Sequence, residues 1–550
     1  MTANQSPLEV AVKPKYFCGV AAVLCIALIP YVSAQAQDAT VAGHTGVPQD
    51  WSLHHIVFSR DGLLQHPDLL YRERRVLHQA MQRWQAPNSD VFHGVDPHPA
   101  TADDLSHHRD WSVNLSGRLD ANMFPAKFSF DAGAPPSCAN DYVVFGLAVA
   151  GVTGGAANLV AYNNLYAGTG GLCGAAPTVL FAYNITTATG GKIVTSPILS
   201  YDGTKIAFVE SIGSSAIFHV LTWTAGQGTI KAAAAPTEMT SLTFSPTYNS
   251  TTSSPWIDYG SDTVYLGADG GQLYKITGVF KGTPTLAGTP WPVMVSKNLR
   301  LTAPVLDLNR GVLMVGSANG TLYQVNVTTG ALATLVVGSG GTSPGIVAAP
   351  IVDVTNGTTF VVSANDGTSA VLVEADTSSV TMLAKARLGR GSAGGTALNL
   401  YEPAFTNNYF TNPANGNVLL CGTGAADTTP WQYSFGFTGR TMKTTPAGSL
   451  QLLTSTAARC TGWTEFYNPN VSGGTDFFFF GLTQDCTATG AAGGCVVAHT
   501  GANTYTKATV DGGPSGIVID NYSTAGQASS IYFTAEKIDT AYKFTQNGLQ

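Results

Sequence analysis

The chain has 550 residues, of which 11% are charged, against about 25% in ordinary globular proteins, and 61 are glycine. A formal charge of -7 leaves no basic stripe to condense on phosphates, which argues against nucleic acid as a partner. Length alone would allow three average domains, but the even composition points to one architecture of short strands joined by Gly, Asn, Ser and Thr turns.

In chain order, Lys13 and Lys15 precede an apolar run from Tyr16 to Val32, and Ser33-Ala34-Gln35-Ala36 closes it. A positive start, an apolar centre and an A-x-A end mark residues 1–36 as a signal peptide. The run is short for a membrane anchor and Pro30 interrupts it, so cleavage is the expectation. Leu24 before Cys25 is too bulky for lipoprotein processing. The mature chain is expected to be secreted or periplasmic, with no integral membrane segment after cleavage.

Residues 37–109 read as an N-terminal arm. Pro67 to Trp84 predicts one helix, with Leu70, Leu77, Met81 and Trp84 on one face and Arg72, Arg74, Arg75 and Arg83 on the wetter one. Such a helix would dock on the outside of the main domain or across one mouth, with a partner-binding arm as the alternative. A linker follows, rich in His and Asp: His93, Asp96, His98, Asp103, Asp104, His107 and His108. Imidazole and carboxylate can hold a divalent ion, but this spacing matches no defined site, so no resident metal and no cofactor is expected.

From residue 110 onward a strand signature recurs: a small residue, Pro, two apolar residues, then often Asp. It appears at Ser196-Pro197, Ser254-Pro255, Ala303-Pro304 and Ala349-Pro350, and more loosely at Glu402-Pro403. A period near 50 residues in a strand-rich chain indicates propeller blades. Each copy leads into a second apolar strand and then a turn such as Asp269-Gly270 or Asn319-Gly320. Strands apolar on both faces require units that stack on one another. Degenerate copies begin near 126, 464 and 515, giving an all-β, eight-bladed β-propeller; seven blades would follow if one degenerate unit were an elaborated loop. The last unit runs out of chain after its third strand, so Asp110 to Leu115 is expected to supply the fourth and close the ring.

Six cysteines remain after the signal: Cys138, Cys173, Cys421, Cys460, Cys486 and Cys495. An even number in an exported chain suggests disulfides, and proximity suggests 138–173, 421–460 and 486–495.

Two units carry residue-level resemblances. Ser200-Tyr201-Asp202-Gly203-Thr204-Lys205-Ile206-Ala207-Phe208 resembles the repeat of TolB-type propellers, with Tyr201 where that repeat has Pro. Val315-Gly316-Ser317-Ala318-Asn319-Gly320-Thr321-Leu322-Tyr323 resembles the quinoprotein-like propeller repeat without its closing Trp. Phe124 to Asp131 with Pro136 to Tyr142 resembles a group of uncharacterised secreted β-propeller proteins of environmental bacteria, over most of the mature chain, which implies the fold and no particular activity.

No catalytic set stands out. Within the propeller only His219 and His499 belong to the residue type suited to acid–base work at neutral pH, and both sit in or at the end of strand-like runs. Asp258, Asp307 and Asp353 share one repeat position, where turn capping is the ordinary role and axial convergence on a cation or sugar the sharper one. Trp256, Trp291, Trp431 and Trp463 are candidates for stacking on sugars, with core packing the competing fate. The vicinal cysteines of quinone-dependent dehydrogenases and the Asp-box Trp of sialidases are missing. The reading is a secreted, non-catalytic binding or scaffold protein for a glycan, a cell-envelope component or another protein; the alternative is an extracellular hydrolase or lyase acting on a glycan or related substrate.

Overall fold

The computed structural model describes residues 46–84, 107–130, 136–338, 345–391, 398–469, 471–486, 493–500, 505–520, 527 and 530–546. These belong to one compact unit, Thr45–Gln550. Residues 1–36, expected to be a signal peptide, and His93 to Asp104 lie outside the described residues.

Eight antiparallel sheets follow one another along the chain, and the count of eight holds over seven. Their inner strands are Ala126–Ser129, Ile198–Leu199, Trp256–Asp258, Val305–Asp307, Ile351–Asp353, Ala404–Phe405, Thr464–Asn468 and Val518–Asp520, numbered here as blades 1 to 8. The signature prolines fall immediately before the inner strands of blades 2 to 6. An inner strand is a sheet edge, and proline, lacking an N–H, is tolerated there while it discourages wrong pairing.

Alternation along each strand explains why both faces are apolar. In blade 1, Phe128, Tyr142 and Val144 pack with Leu199, Ile206 and Phe208 of blade 2. Val143 and Phe145 point the other way, into a cluster with Trp111, Tyr532 and Ala541 of blade 8. Blade 8 is completed by His107–Asn114, which pairs antiparallel with Thr540–Gln546, so residues from before blade 1 form its outer strand.

The blade 8 to blade 1 seam also holds a buried polar network. Lys127 pairs with Asp520 at 2.8 Å, and Lys543 with Asp110 at 2.6 Å, all four side chains sealed from solvent. Tyr166 donates to Asp141 at 2.7 Å within the same seam. The three disulfides join Cys138–Cys173, Cys421–Cys460 and Cys486–Cys495.

The segment before the ring differs from the single docked helix expected. Val47–Gln49 pairs antiparallel with the inner strand of blade 1, and Ile56–Val57 pairs parallel with that of blade 5. Blades 1 and 5 stand opposite in a ring of eight, so the chain between them crosses the axis. The crossing is a short 3-10 helix, Trp51–His55, started by Asp50, whose carboxylate accepts from the Ser52 N–H at 3.1 Å.

Three helices follow: α1 (Arg60–Gln65), α2 (Asp68–Arg72) and α3 (Arg74–Trp84). The single helix from Pro67 to Trp84 is broken at Glu73; Leu70 and Trp84 pack on the core and Arg72 and Arg74 stay exposed as expected, but Arg75 turns inward and Met81 outward. Leu69, Val76 and Ala80 are buried with Arg75, while Met81 is exposed. The reason is ionic. Arg75 reaches Glu73 at 2.8 Å and Asp50 at 3.0 Å, and its guanidinium lies over the Tyr259 ring at 5.0 Å.

Removal of Lys127 should strand Asp520 in the seam. Lys127→Met is expected to cost roughly 3–5 kcal/mol in urea unfolding at pH 7. Lys127→Met combined with Asp520→Asn should recover much of that loss, because the uncompensated charge goes with it.

Candidate functional site

A propeller's axial channel is the first place to look for a ligand, and here the chain fills it from both ends. At the mouth formed by the turns after the inner strands, α1 to α3 tie to blade after blade. Arg72 meets Asp258 at 3.2 Å and the Leu308 carbonyl at 3.0 Å, and the Ser59 N–H donates to Thr355 at 2.8 Å. Arg83 forks onto Glu465 and stacks on Phe410. Tyr201 donates to Glu73 at 3.0 Å and stacks on Tyr259 at 3.8 Å. The position where the TolB-type repeat has Pro thus serves here as an anchor for the helices.

At the opposite mouth the connector from blade 8 to blade 1 dips inward. The Asn122 amide donates to Glu402 at 3.0 Å, and its side-chain oxygen accepts from the Gly462 N–H at 2.9 Å. The Met123 sulfur accepts from Ser196 and Ser254, the small residues of two signature copies. Glu402 is where the signature departs from a small residue, and that departure anchors the connector. Burial pushes Glu402 up to about 7, and pushes Glu536, which accepts from the Asn122 N–H, up to about 7 as well.

The residues singled out in sequence are now placed. Asp258, Asp307 and Asp353 cap their turns: Asp307 accepts from the N–H groups of Asn309 and Arg310 at 3.0 Å, and Asp353 from Thr355 and Asn356. His219 is buried in its strand, bonded to Glu210 at 3.0 Å and Ser241 at 2.9 Å. His499 ends its strand among Trp463 and Phe478, and burial holds it down to about 4. His107 and His108 begin the outer strand of blade 8. Trp256 and Trp463 are core residues, which removes them as sugar platforms. Trp431 is half-buried, its ring N–H donating to Thr429 at 3.0 Å.

Trp291 is buried in the same core cluster as Trp256, with 6% of its surface exposed, but the exposed part faces a cleft. It lines a cleft of about 350 Å³ on the flank between blades 2 and 3, with Phe244, Tyr274, Pro246 and Pro292. The ring is held by a bond from its N–H to the Val327 carbonyl at 3.3 Å. Gln272, Lys275 and Thr247 supply polar groups of the cleft. The Gln272 oxygen is taken by the Tyr274 hydroxyl at 2.7 Å, which leaves its amide N–H groups as donors. Lys275 lies 5.8 Å from the Tyr265 ring centroid, and among the described residues no carboxylate lines the cleft. Aromatic and proline walls with mostly donor groups suit an acceptor-rich molecule. Sequence reasoning named Trp291 but missed Gln272 and Lys275; the sign available was Pro290-Trp291-Pro292, a Trp that two prolines keep out of a regular strand.

No protein-family model matches the chain, and no curated protein matches it. Solved structures do. The Dos1 propeller aligns with TM-score 0.50 and 10% identity over 80% of this chain and 96% of that one. BamB from Moraxella catarrhalis aligns with TM-score 0.42 and 14% identity, over 80% and 98%. The designed protein Ika8 aligns with TM-score 0.44 and 13% identity, over 80% and 99%. The likeness is one of fold.

Glu402 and Glu536, with Glu374 also pushed up to about 7 by burial, give stability a sign in pH. The folded chain holds these protons more tightly than the unfolded one. Their contribution is therefore full below about 4.5 and is lost as pH rises through about 7. Urea midpoints should fall between pH 5 and pH 8, and Glu402→Gln should flatten that slope.

Proposed function

We propose that the chain is an exported, non-catalytic binding protein that takes an acceptor-rich ligand, a glycan in the first instance, in the flank cleft beside Trp291. The observation that carries this reading is the composition of that cleft: aromatic and proline walls, donors from Gln272 and Lys275, and no carboxylate among its lining residues. Sugars offer an apolar ring face to an aromatic wall and oxygen acceptors to the donors around it. Export is supported by the signal-like start and by three disulfides, which persist in oxidising compartments. No helix among the described residues is long and apolar enough to cross a membrane. The resemblance to secreted propellers of environmental bacteria agrees with this setting, in which extracellular or cell-envelope polysaccharide is the natural ligand source.

The hydrolase or lyase alternative draws on Glu402 and Glu536, two carboxyls near 7 that share Asn122. Groups with such values can exchange protons at neutral pH. Both Glu402 oxygens, however, already accept from the Asn122 amide, which suits an anchor better than a proton shuttle.

Titration of the mature protein with soluble neutral and acidic polysaccharides, followed by tryptophan fluorescence, is the direct test. Binding that weakens about tenfold in Trp291→Ala, and also weakens in Lys275→Ala, is the expected result. Binding indifferent to both substitutions would remove the flank cleft. Release of reducing ends that stops in Glu402→Gln would move the protein to the hydrolase class.

A further inference from the structure

We propose a second ligand site, independent of the flank cleft, in which Arg459 binds the carboxylate of an acidic sugar. The loops entering blades 6 and 7 form a cleft beside the Cys421–Cys460 disulfide, lined among others by Asn399, Tyr401, Thr423, Thr428, Arg459 and Thr461. It holds about 10 Å³ of space for a water-sized group. Such a space admits the end of a small planar group and no whole ring.

The case rests on how Arg459 is held. One terminal nitrogen, Nη1, donates to the carbonyls of Thr456 and Ala458 at 2.7 Å and faces that of Thr428 at 3.5 Å. These contacts fix the plane of the guanidinium. Nε and Nη2 meet no acceptor among the described residues, so one edge of the fork is left over. Four arginines among the described residues are withdrawn from the open surface: Arg75, Arg83, Arg310 and Arg459. Arg75 meets Glu73 and Asp50, Arg83 meets Glu465, and Arg310 meets Asp307 at 2.9 Å. Arg459 alone of the four has no carboxylate. Burial lowers its pKa, with no acidic group acting to raise it. A cation partly removed from water without a counter-charge is costly, and a carboxylate docking bidentately on the free edge relieves that cost.

The rest of the lining favours a sugar over a peptide terminus as the carrier of that carboxylate. Asn399, Tyr401 and Thr428 line the cleft; the Asn399 amide donates to the Tyr401 hydroxyl at 3.4 Å and the Thr428 hydroxyl to the Thr456 carbonyl at 3.0 Å, which leaves the Asn399 carbonyl and the Thr428 oxygen to accept from ring hydroxyls. Burial, and after it Glu536, Glu402 and Asp120, push the Tyr401 hydroxyl upward, and none of these carboxyls acts on Arg459. The chain as a whole is acidic, so attraction at this site is local and falls with added salt.

Calorimetric titration of the full mature protein with galacturonate decides the matter, with galactose and N-acetyl-Ala-Ala as parallel arms. Galacturonate is expected to bind and galactose to be silent. Arg459→Gln should weaken galacturonate about tenfold, and Arg459→Lys should restore part of the loss. Three results would overturn the proposal: no heat with galacturonate, equal affinity in Arg459→Gln, or tighter binding of the peptide arm. If Arg459→Gln fails to fold, Arg459→Lys decides, since it keeps the charge and removes the fork, and affinity equal to that of the parent would overturn the site. Loss of galacturonate binding in Trp291→Ala alone would assign it to the flank cleft, which keeps the binding-protein reading and sinks this one.

Discussion

Everything in this molecule depends on closing a ring with residues far apart in sequence. The outer strand of blade 8 comes from His107–Asn114, ahead of blade 1, while the other three come from the end of the chain. Most of the seam between the two blades is apolar, but among the described residues it alone carries two buried lysine–carboxylate pairs. Buried ion pairs add little net stability compared with good apolar packing. Their value here is register. A one-residue slip would turn Lys127 toward the apolar face shared with blade 2 and leave Asp520 alone. A ring of eight similar sheets has many near-equivalent ways to pair, and the seam is where a wrong one would be most costly.

The N-terminal segment solves a second problem posed by the same geometry. Eight blades leave a wide axis ringed by inner strands, each with an unpaired edge. Val47–Gln49 and Ile56–Val57 cover two of those edges on opposite sides, and Trp51 fills the space between, its ring N–H donating to the Pro255 carbonyl at 3.2 Å. Helices α1 to α3 then bond to turns of blades 2 to 7. Through one buried triad, Arg75–Glu73–Asp50, the crossing and the helices are joined to each other. The segment works as an axle.

The repeat made the fold legible. Periodic Pro, paired apolar strands and hairpin turns gave eight blades, because each blade must satisfy the same packing on both faces. Disulfide pairing was legible through proximity, and capping by Asp307 and Asp353 through the ordinary chemistry of Asp in turns. What stayed hidden was whatever depended on a single partner distant in sequence. Arg75 reads as a surface residue until Asp50 is folded against it. Tyr201 and Glu402 were visible as departures from their repeats, yet only the structure gives the reason: one anchors the helices, the other the connector.

That contrast also locates function. Positions that keep to the repeat are used up by packing and capping, and the departures at the axis are used up by the axle and connector. The axis is thus committed to holding the ring together, whereas many propellers leave it open. Ligand chemistry is pushed outward, to places where neighbouring blades differ and where no repeat constrains the side chains. Trp291 lies in an irregular excursion after the outer strand of blade 3, and Arg459 in a long connection between blades 6 and 7. Part of the Trp291 ring lines a cleft, and Arg459 is a partly buried cation with no carboxylate partner among the described residues. A rigid ring with its centre filled makes a stable frame for such peripheral sites, since a loop held by two packed blades loses little further freedom when a ligand arrives.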